Sequence, residues 1–135
     1  MKRLACVIAA LLLASSASAT TPRSLEDSPN RAAYYLCENV AAAAEGSCGT
    51  LDVGEKYSYA LFEFHDTAAD CTTVSITIEG RSWSSGDWII LGTLTTSDDG
   101  IIYQGLVPRQ IRANATTLTD CVAADVIAEF SGTLK

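Results

Sequence analysis

The sequence predicts an all-β protein, an antiparallel, jelly-roll-like β-sandwich of about seven or eight strands held by two disulfides. Short runs of alternating apolar and polar residues are separated by turn-forming residues at the regular spacing typical of sandwiches and barrels. No segment has sustained helical periodicity, and the connections are too short for repeated crossover helices. These observations favour antiparallel strands packed in two layers.

The N-terminal segment has the pattern of an export signal. Lys2 and Arg3 precede an apolar run from Leu4 to Ala14, and a small-residue stretch ends at Ala19. We expect a signal peptide over residues 1–19 with cleavage after Ala19. The apolar run is about half of the ~20 residues that a membrane-spanning helix needs, so no membrane insertion is expected. The predicted localisation is therefore secreted or periplasmic.

The rest of the chain divides into a short leader and one domain. The stretch "TTPRSLEDSPNR" at residues 20–31 is polar and without period, and we expect it to be flexible. Residues 32–135 form a single predicted β-sandwich domain. The chain has 9 basic and 16 acidic residues, a formal net charge of −7, and removal of the signal leaves it more acidic still. This balance disfavours nucleic acid and anionic membrane surfaces as partners.

Four cysteines remain once Cys6 is removed with the signal: Cys37, Cys48, Cys71 and Cys121. In an oxidising compartment they are expected to form two disulfides, for which three pairings exist. We favour Cys37 with Cys48, which joins adjacent segments, and Cys71 with Cys121, which joins two turns that precede strands. The absence of a CxxC motif and the single histidine argue against a zinc site.

Alternation places the individual strands. The expected strands are 33–40, 49–53, 57–65, 72–80, 88–95, 101–106, 110–118 and 122–131. The stretch between the first two is expected to be a loop or one helical turn. In "TTVSITIEG", Val74, Ile76 and Ile78 share the buried face. In the last strand the inward residues are expected to be Val122, Ala124, Val126, Ala128 and Phe130.

The strand at 110–118 has one apolar and one polar face. Ile111, Ala113 and Ala115 are expected to point inward, and Arg112 and Asn114 outward. We expect Arg112 to pair with an acidic side chain of a neighbouring strand or turn. If Arg112 is a structural surface partner rather than a ligand contact, Arg112→Ala should cost no more than about 1 kcal/mol, as expected of an exposed ion pair, and should leave binding unaffected.

The span from Thr72 to Gly132 contains "VSITIEG", a turn and Trp88, "LGTLT", "IRANATTLT" and a closing "ADVIAEFSG". In this order of motifs the chain resembles a loosely defined group of β-sandwich modules found in phage virion proteins and secreted bacterial proteins. The resemblance implies a jelly-roll or galactose-binding-like fold and a role in assembly, attachment or glycan contact. The signal peptide and the cysteines depart from that group's pattern, and the resemblance supplies no catalytic residue.

The loop "RSWSSGDW" holds the candidate ligand-binding residues. Trp83 lies among small polar residues and offers an aromatic surface for a sugar ring, and Arg81 and Asp87 are the expected hydrogen-bonding partners. Trp88 begins the apolar run "WIIL" and is expected to pack in the core.

Catalytic and metal-binding patterns are sparse. His65 is the only histidine, and its position beside Asp66 at a strand end indicates a solvated pair rather than part of a catalytic triad. The acidic turns at Asp66 to Asp70 and Ser97 to Gly100 offer oxygen ligands for calcium, without the ligand spacing of an EF-hand. No catalytic residue and no cofactor are therefore predicted.

These observations predict a secreted, non-enzymatic module with a binding or structural role at or outside the cell envelope. Its expected partner is a glycan or a surface protein. Two other classes remain open. One is a secreted inhibitor of a protease or another hydrolase, whose Trp83 loop would insert into a cleft. The other is a small glycan-active hydrolase, which would need two acids converging about 5 to 9 Å apart.

Overall fold

Over the residues that the structure describes, ten strands form two antiparallel sheets that pack face to face. The structure is a computed structural model that describes residues 22–28, 30–40, 46–66, 69–83, 85–95 and 100–133. The strands are β1 (Arg23–Ser28), β2 (Arg31–Val40), β3 (Gly46–Ser47), β4 (Leu51–Asp52), β5 (Tyr57–Asp66), β6 (Thr73–Arg81), β7 (Ile89–Thr95), β8 (Ile101–Gln104), β9 (Gln110–Thr119) and β10 (Ala124–Thr133). The predicted signal peptide and most of the acidic turn at 97–100 lie outside the described residues.

The chain passes several times from one sheet to the other. The first sheet has the strand order β1-β2-β10-β5-β8, and the second has the order β3-β9-β6-β7, with β4 also paired to β9. Every strand pair is antiparallel. The predicted all-β sandwich is therefore confirmed, with two more strands than expected because β1 and β3 were not predicted.

The inward faces of both sheets form one core. Val74, Ile76 and Ile78 of β6 are buried as predicted, and so are Ile111 and its alternating neighbours on β9. Phe130 of β10 is at the centre of the aromatic part of this core. Its ring stacks on Tyr57 with centroids 5.6 Å apart and meets the edge of Phe62 at 6.1 Å.

The prediction for Val122 is wrong. Ala124, Val126, Ala128 and Phe130 are buried as expected, but Val122 is 69% exposed. The strand begins only at Ala124. Val122 belongs to the preceding turn, where its backbone N–H donates a hydrogen bond to Asp70 Oδ1 at 3.2 Å. Because Val122 lies before the strand begins, the alternation of the strand does not determine where its side chain points, and the side chain faces solvent.

The leader expected to be flexible contains strand β1. Arg23–Ser28 pairs along β2 at the edge of the first sheet. Arg23 donates to Glu38 Oε1 at 2.7 Å, and Arg31 donates to Glu129 Oε2 at 3.1 Å. An edge strand needs little apolar surface because its backbone hydrogen bonds fix it to its neighbour, so a polar sequence without alternation gives no signal of it.

One disulfide joins the two sheets, and the other joins two connections between them. Cys37 of β2, in the first sheet, is bonded to Cys48, which directly follows β3 in the second, with Cα atoms 5.4 Å apart. Cys71 and Cys121 are bonded with Cα atoms 4.3 Å apart and connect two segments where the chain passes between the sheets. The predicted pairing is confirmed. Disulfides of this kind indicate an oxidising, extracytoplasmic environment.

Glycine lets the sheets approach closely along the edge formed by β7 and β8. A Cβ atom at Gly92 of β7 would lie 2.8 Å from Ile101 Cδ1 of β8. At Gly80 of β6 a Cβ would lie 2.8 Å from the ring of Pro108. Both positions therefore exclude a larger residue unless the opposite side chain moves.

In the part of the chain that the structure describes, no helix has the length and apolar character needed to cross a bilayer.

Candidate functional site

The outward side of β6 and β9 in the second sheet carries a row of polar side chains, which we call the polar face. The strands pair so that Arg81 lies opposite Gln110, Glu79 opposite Arg112, and Thr77 opposite Asn114. Side chains alternate along each strand, so these six residues point away from the core while their neighbours are buried. The rigid sheet fixes the spacing of the polar groups.

Glu79 is the acidic centre of this face. Its Oε2 accepts a hydrogen bond of 2.6 Å from Arg112 Nε, and its Oε1 accepts bonds from Asn114 Nδ2 and Thr77 Oγ1. The expected partner of Arg112 on a neighbouring strand is therefore found. The pair is less exposed than expected, since 26% of the Arg112 side chain and 12% of the Glu79 side chain reach solvent.

Arg81 and Arg112 both lie close to the indole of Trp88. The guanidinium carbon of Arg81 is 4.3 Å from the ring centroid, and that of Arg112 is 4.2 Å from it. Arg81 also donates from Nε to Gln110 Oε1 at 2.8 Å. Cation–π contact of this kind is strongest with tryptophan and holds each guanidinium in place.

The prediction that Trp88 packs in the core is wrong. Trp88 is partly exposed and precedes β7, and the two residues that follow it, Ile89 and Ile90, are also exposed. The reason is the position of β7, which is an edge strand whose first residues extend beyond the buried layer. The indole instead covers the two arginines of the polar face.

Trp83 projects from the loop that joins β6 to β7. It is 67% exposed, and its backbone carbonyl accepts a hydrogen bond of 2.9 Å from the N–H of Gly86. The indole lies against Gly86, where a Cβ atom would be 3.1 Å from Trp83 Cδ1. This contact supports the ring from one side and leaves the other available.

The three predicted ligand-binding residues lie in different surroundings. Arg81 belongs to the polar face, Trp83 lies two residues further along the chain, and Asp87 is exposed in the same loop. Within the described part of the chain, no hydrogen bond or ion pair joins Asp87 to either of the others. The structure thus brings Arg81 together with Trp88 and Arg112, a grouping that was not predicted.

An apolar rim lies beside this loop. It consists of the exposed residues Trp83, Ile89, Ile90, Ile102 and Leu106. They are carried by β7, β8 and the segments next to them, which are the neighbouring edges of the two sheets. Ile89 and Ile90 are adjacent in the chain, and exposed apolar surface is typical of regions that contact a partner.

The candidate calcium ligands serve the turns around them. Asp66 Oδ2 accepts a hydrogen bond of 2.8 Å from the Cys71 N–H, and Asp70 Oδ1 accepts the bond from Val122. Ligand atoms of Asp66, Asp70 and Cys71 lie within 4.8 Å of one another, but the sulfur is committed to the disulfide. Two carboxylates fall well short of the six to eight oxygens that calcium takes.

His65 is the next-to-last residue of β5 and is exposed. Its Nε2 lies 3.8 Å from Glu63 Oε2 on the same strand. Over the residues that the structure describes, no pocket is found beside His65 or elsewhere on the surface.

The sequence contained the residues of the polar face but not their grouping. Glu79 is visibly on the outward side of "TTVSITIEG", and Arg112 is on the outward side of its own strand. Only the register of β6 against β9 brings the two charges together. An acidic and a basic residue on outward positions of two strands was the one available signal.

Comparison with known proteins shows similarity of fold. No protein-family model and no curated protein matches the sequence. Among solved structures, the crystal structure of the SPBc2 prophage-derived protein YomS is similar, with a TM-score of 0.57 and 11% sequence identity. The match covers 80% of this chain and 98% of that one. The chain therefore shares its β-rich fold with a prophage protein.

Proposed function

We propose that this protein is an exported, non-enzymatic binding module that attaches to a glycan at or outside the cell envelope. The observation that carries the proposal is Trp83, a large aromatic side chain that is 67% exposed beside the ordered polar face. Burying an indole against a sugar ring or a partner surface is favourable, and exposed tryptophans are common binding hot spots. The disulfides and the predicted signal peptide support export.

The polar face supports a sugar as the ligand. Its side chains offer both donors and acceptors, including Gln110, Asn114 and the guanidinium of Arg81, at positions fixed by strand pairing. A saccharide presents hydroxyl groups around a flat apolar ring, so it is matched by an aromatic platform with hydrogen-bonding groups beside it. A sheet face is open at both ends and suits a chain of sugars.

The test begins with a glycan-array screen of the chain from Thr20 onward. The best glycan is then titrated by calorimetry against the wild type and Trp83→Ala. We expect Trp83→Ala to weaken binding at least about 30-fold, the equivalent of about 2 kcal/mol, without changing the urea midpoint.

Val122→Ala is the matched control, because Val122 is equally exposed but lies in a distant segment of the chain. It should bind as the wild type does. If no glycan binds, or if Trp83→Ala and Val122→Ala bind alike, the proposed function is wrong.

A protein partner is the second candidate, and the apolar rim favours it. Ile90 is 66% exposed next to the Trp83 loop, and buried aliphatic contact is more typical of protein interfaces than of sugar sites. In this case the loop would insert into the cleft of a protease or another hydrolase. Assays of secreted hydrolases with the purified protein test this, and inhibition that Ile90→Ser removes would favour it over the glycan.

A further inference from the structure

We infer that the glycan is acidic and that Arg81 and Arg112 together bind one of its anionic groups. The inference rests on the proposed function, because it assigns the ligand class of the same face. Its starting observation is that both guanidiniums lie within 4.3 Å of the centroid of one indole. The two guanidinium carbons are therefore at most about 8.5 Å apart.

In the described part of the chain, each of these arginines makes its side-chain hydrogen bond through Nε. Arg81 Nε donates to Gln110, and Arg112 Nε donates to Glu79. Among the described residues, no hydrogen bond occupies the terminal amino groups of either guanidinium. Those groups form the planar fork that matches the two oxygens of a carboxylate or the oxygens of a sulfate.

The charges of the cluster are unbalanced. Arg81 and Arg112 bring two positive charges, and the Glu79 carboxylate is bonded to Arg112 alone among these two. In contrast, Arg23, Arg31 and Arg109 each have a carboxylate within 4.0 Å, and Arg81 has none within the described parts of the chain. An anion at the two forks would reduce the repulsion between them.

The cluster is also ordered before any ligand arrives. Strand pairing sets the backbone positions, the Nε bonds set the direction of each fork, and Trp88 covers both cations. Since the side chains lose little freedom on binding, more of the interaction appears as affinity. Arg112 remains 26% exposed and Arg81 is also partly exposed, so solvent and ligand can reach them.

Carboxylates of uronic acids and sulfate esters present the same anionic chemistry to a guanidinium. We therefore test both sources with calorimetry of the chain from Thr20 onward. The uronate probe is trigalacturonate, compared with its methyl triester, which keeps the sugar rings and removes the charge. The sulfate probe is a chondroitin sulfate tetrasaccharide, compared with its desulfated form.

We expect at least one anionic probe to bind at least tenfold more tightly than its matched control. Arg81→Gln should remove this preference. Arg31→Gln is the matched variant, because it removes the same charge from an exposed arginine of the first sheet, and it should retain the preference. The probe that binds more tightly than its own uncharged or desulfated control identifies the anionic group as a carboxylate or a sulfate.

A second measurement does not depend on the stability of a variant. The Nε–Hε signals of Arg81 and Arg112 in NMR spectra should shift on titration with the preferred probe, and the Arg31 signal should not. Equal shifts at all three arginines would indicate general screening and overturn the inference.

Failure of the inference is distinguishable from failure of the proposed function. If neutral and anionic probes bind equally and Trp83→Ala weakens both, the inference is wrong and glycan attachment stands. If no saccharide binds, the proposed function fails. Hexaglutamate that binds through Arg81 as tightly as the saccharide would overturn the assignment to a glycan and indicate an acidic protein partner.

Discussion

Arg112 and Glu79 form a partly buried ion pair in which neither member can be removed without consequence for the other. Among the described residues, Arg112→Ala would leave the Glu79 carboxylate, whose side chain is 12% exposed, with Asn114 and Thr77 as its side-chain hydrogen-bond donors. We expect this variant to lose about 2 kcal/mol of unfolding free energy, more than the 1 kcal/mol expected for an exposed pair.

Urea denaturation measures that loss. Arg31→Ala is the control, since it breaks an exposed pair and should cost less than about 1 kcal/mol. Adding Glu79→Gln to Arg112→Ala should recover part of the stability, because the uncompensated charge is gone. Equal losses for Arg112→Ala and Arg31→Ala would contradict the view of the pair as buried.

Asp52 gives the protein a defined response to acid. Partial burial raises the pKa of this carboxyl, but a hydrogen bond from Arg109 and another from the Gly54 N–H outweigh it and lower the pKa below its usual value. The folded state therefore binds fewer protons than the unfolded state in this range. The stabilisation is present above the unfolded pKa of about 3.9 and is lost as the pH falls through the folded pKa.

The urea midpoints of wild type and Asp52→Asn at pH 7 and at pH 2 test this. The wild type should be more stable at pH 7 by no more than about 1 kcal/mol, because the ion pair with Arg109 is exposed, and the two should converge at pH 2. If wild type and Asp52→Asn differ as much in urea midpoint at pH 2 as at pH 7, the charge of Asp52 does not account for the stabilisation.

At the level of single residues, the sequence predicted which side of the sheet a side chain faces better than it predicted whether that side chain is buried. Alternation correctly placed Ile111 inside and Arg112 outside, because a strand allows only two directions. It failed for Trp88, since an apolar run looks the same whether its strand is central or at an edge. The position of a strand within its sheet is a tertiary property that local pattern does not contain.

Strand β7 depends on a glycine for its fit against β8. A methyl group at Gly92 would meet Ile101 at 2.8 Å, and that neighbour is a partly buried side chain packed against the core. We expect Gly92→Ala to cost about 1–3 kcal/mol through overpacking. Thr93→Ala, an exposed change in the next residue of the same strand, should cost less than about 0.5 kcal/mol.

Thermal or urea melts compare the two variants. Gly92→Ala combined with Ile101→Val should regain stability relative to Gly92→Ala alone, because the smaller side chain makes room for the methyl group. If Gly92→Ala is as stable as the wild type, the two sheet edges can move apart freely.

For the strands, the patterns that succeeded were those with one buried face. β5, β6, β9 and β10 were predicted within a few residues because burial imposes alternation on them. β1 is polar and β3 has two residues, so neither contains enough apolar surface to give a pattern. The sequence also did not predict the register, because the register depends on which residues of two different strands lie opposite each other.

The two disulfides belong to the scale of the whole molecule, since one joins the two sheets and the other joins two connections between them. In the chain-entropy model, closing the 50-residue separation between Cys71 and Cys121 contributes about 4 kcal/mol, and closing the 11-residue separation between Cys37 and Cys48 about 3 kcal/mol. We expect the variant with serine at Cys71 and Cys121 to be less stable than the variant with serine at Cys37 and Cys48.

Thiol titration of the native chain from Thr20 onward should detect no free thiol, and urea melts of the two double variants should rank them. A reactive thiol in the native protein, or the opposite ranking, would contradict the assigned roles.

The disulfide between Cys71 and Cys121 also determines how the molecule carries mechanical load. When the two ends of the chain are pulled apart, tension passes through the sulfur–sulfur bond and not through the segment it closes. That segment withholds about 50 residues, or roughly 175 Å of extended chain, and it includes β6 and β9. The polar face therefore stays outside the force-bearing path and can keep its shape while the rest of the chain is stretched.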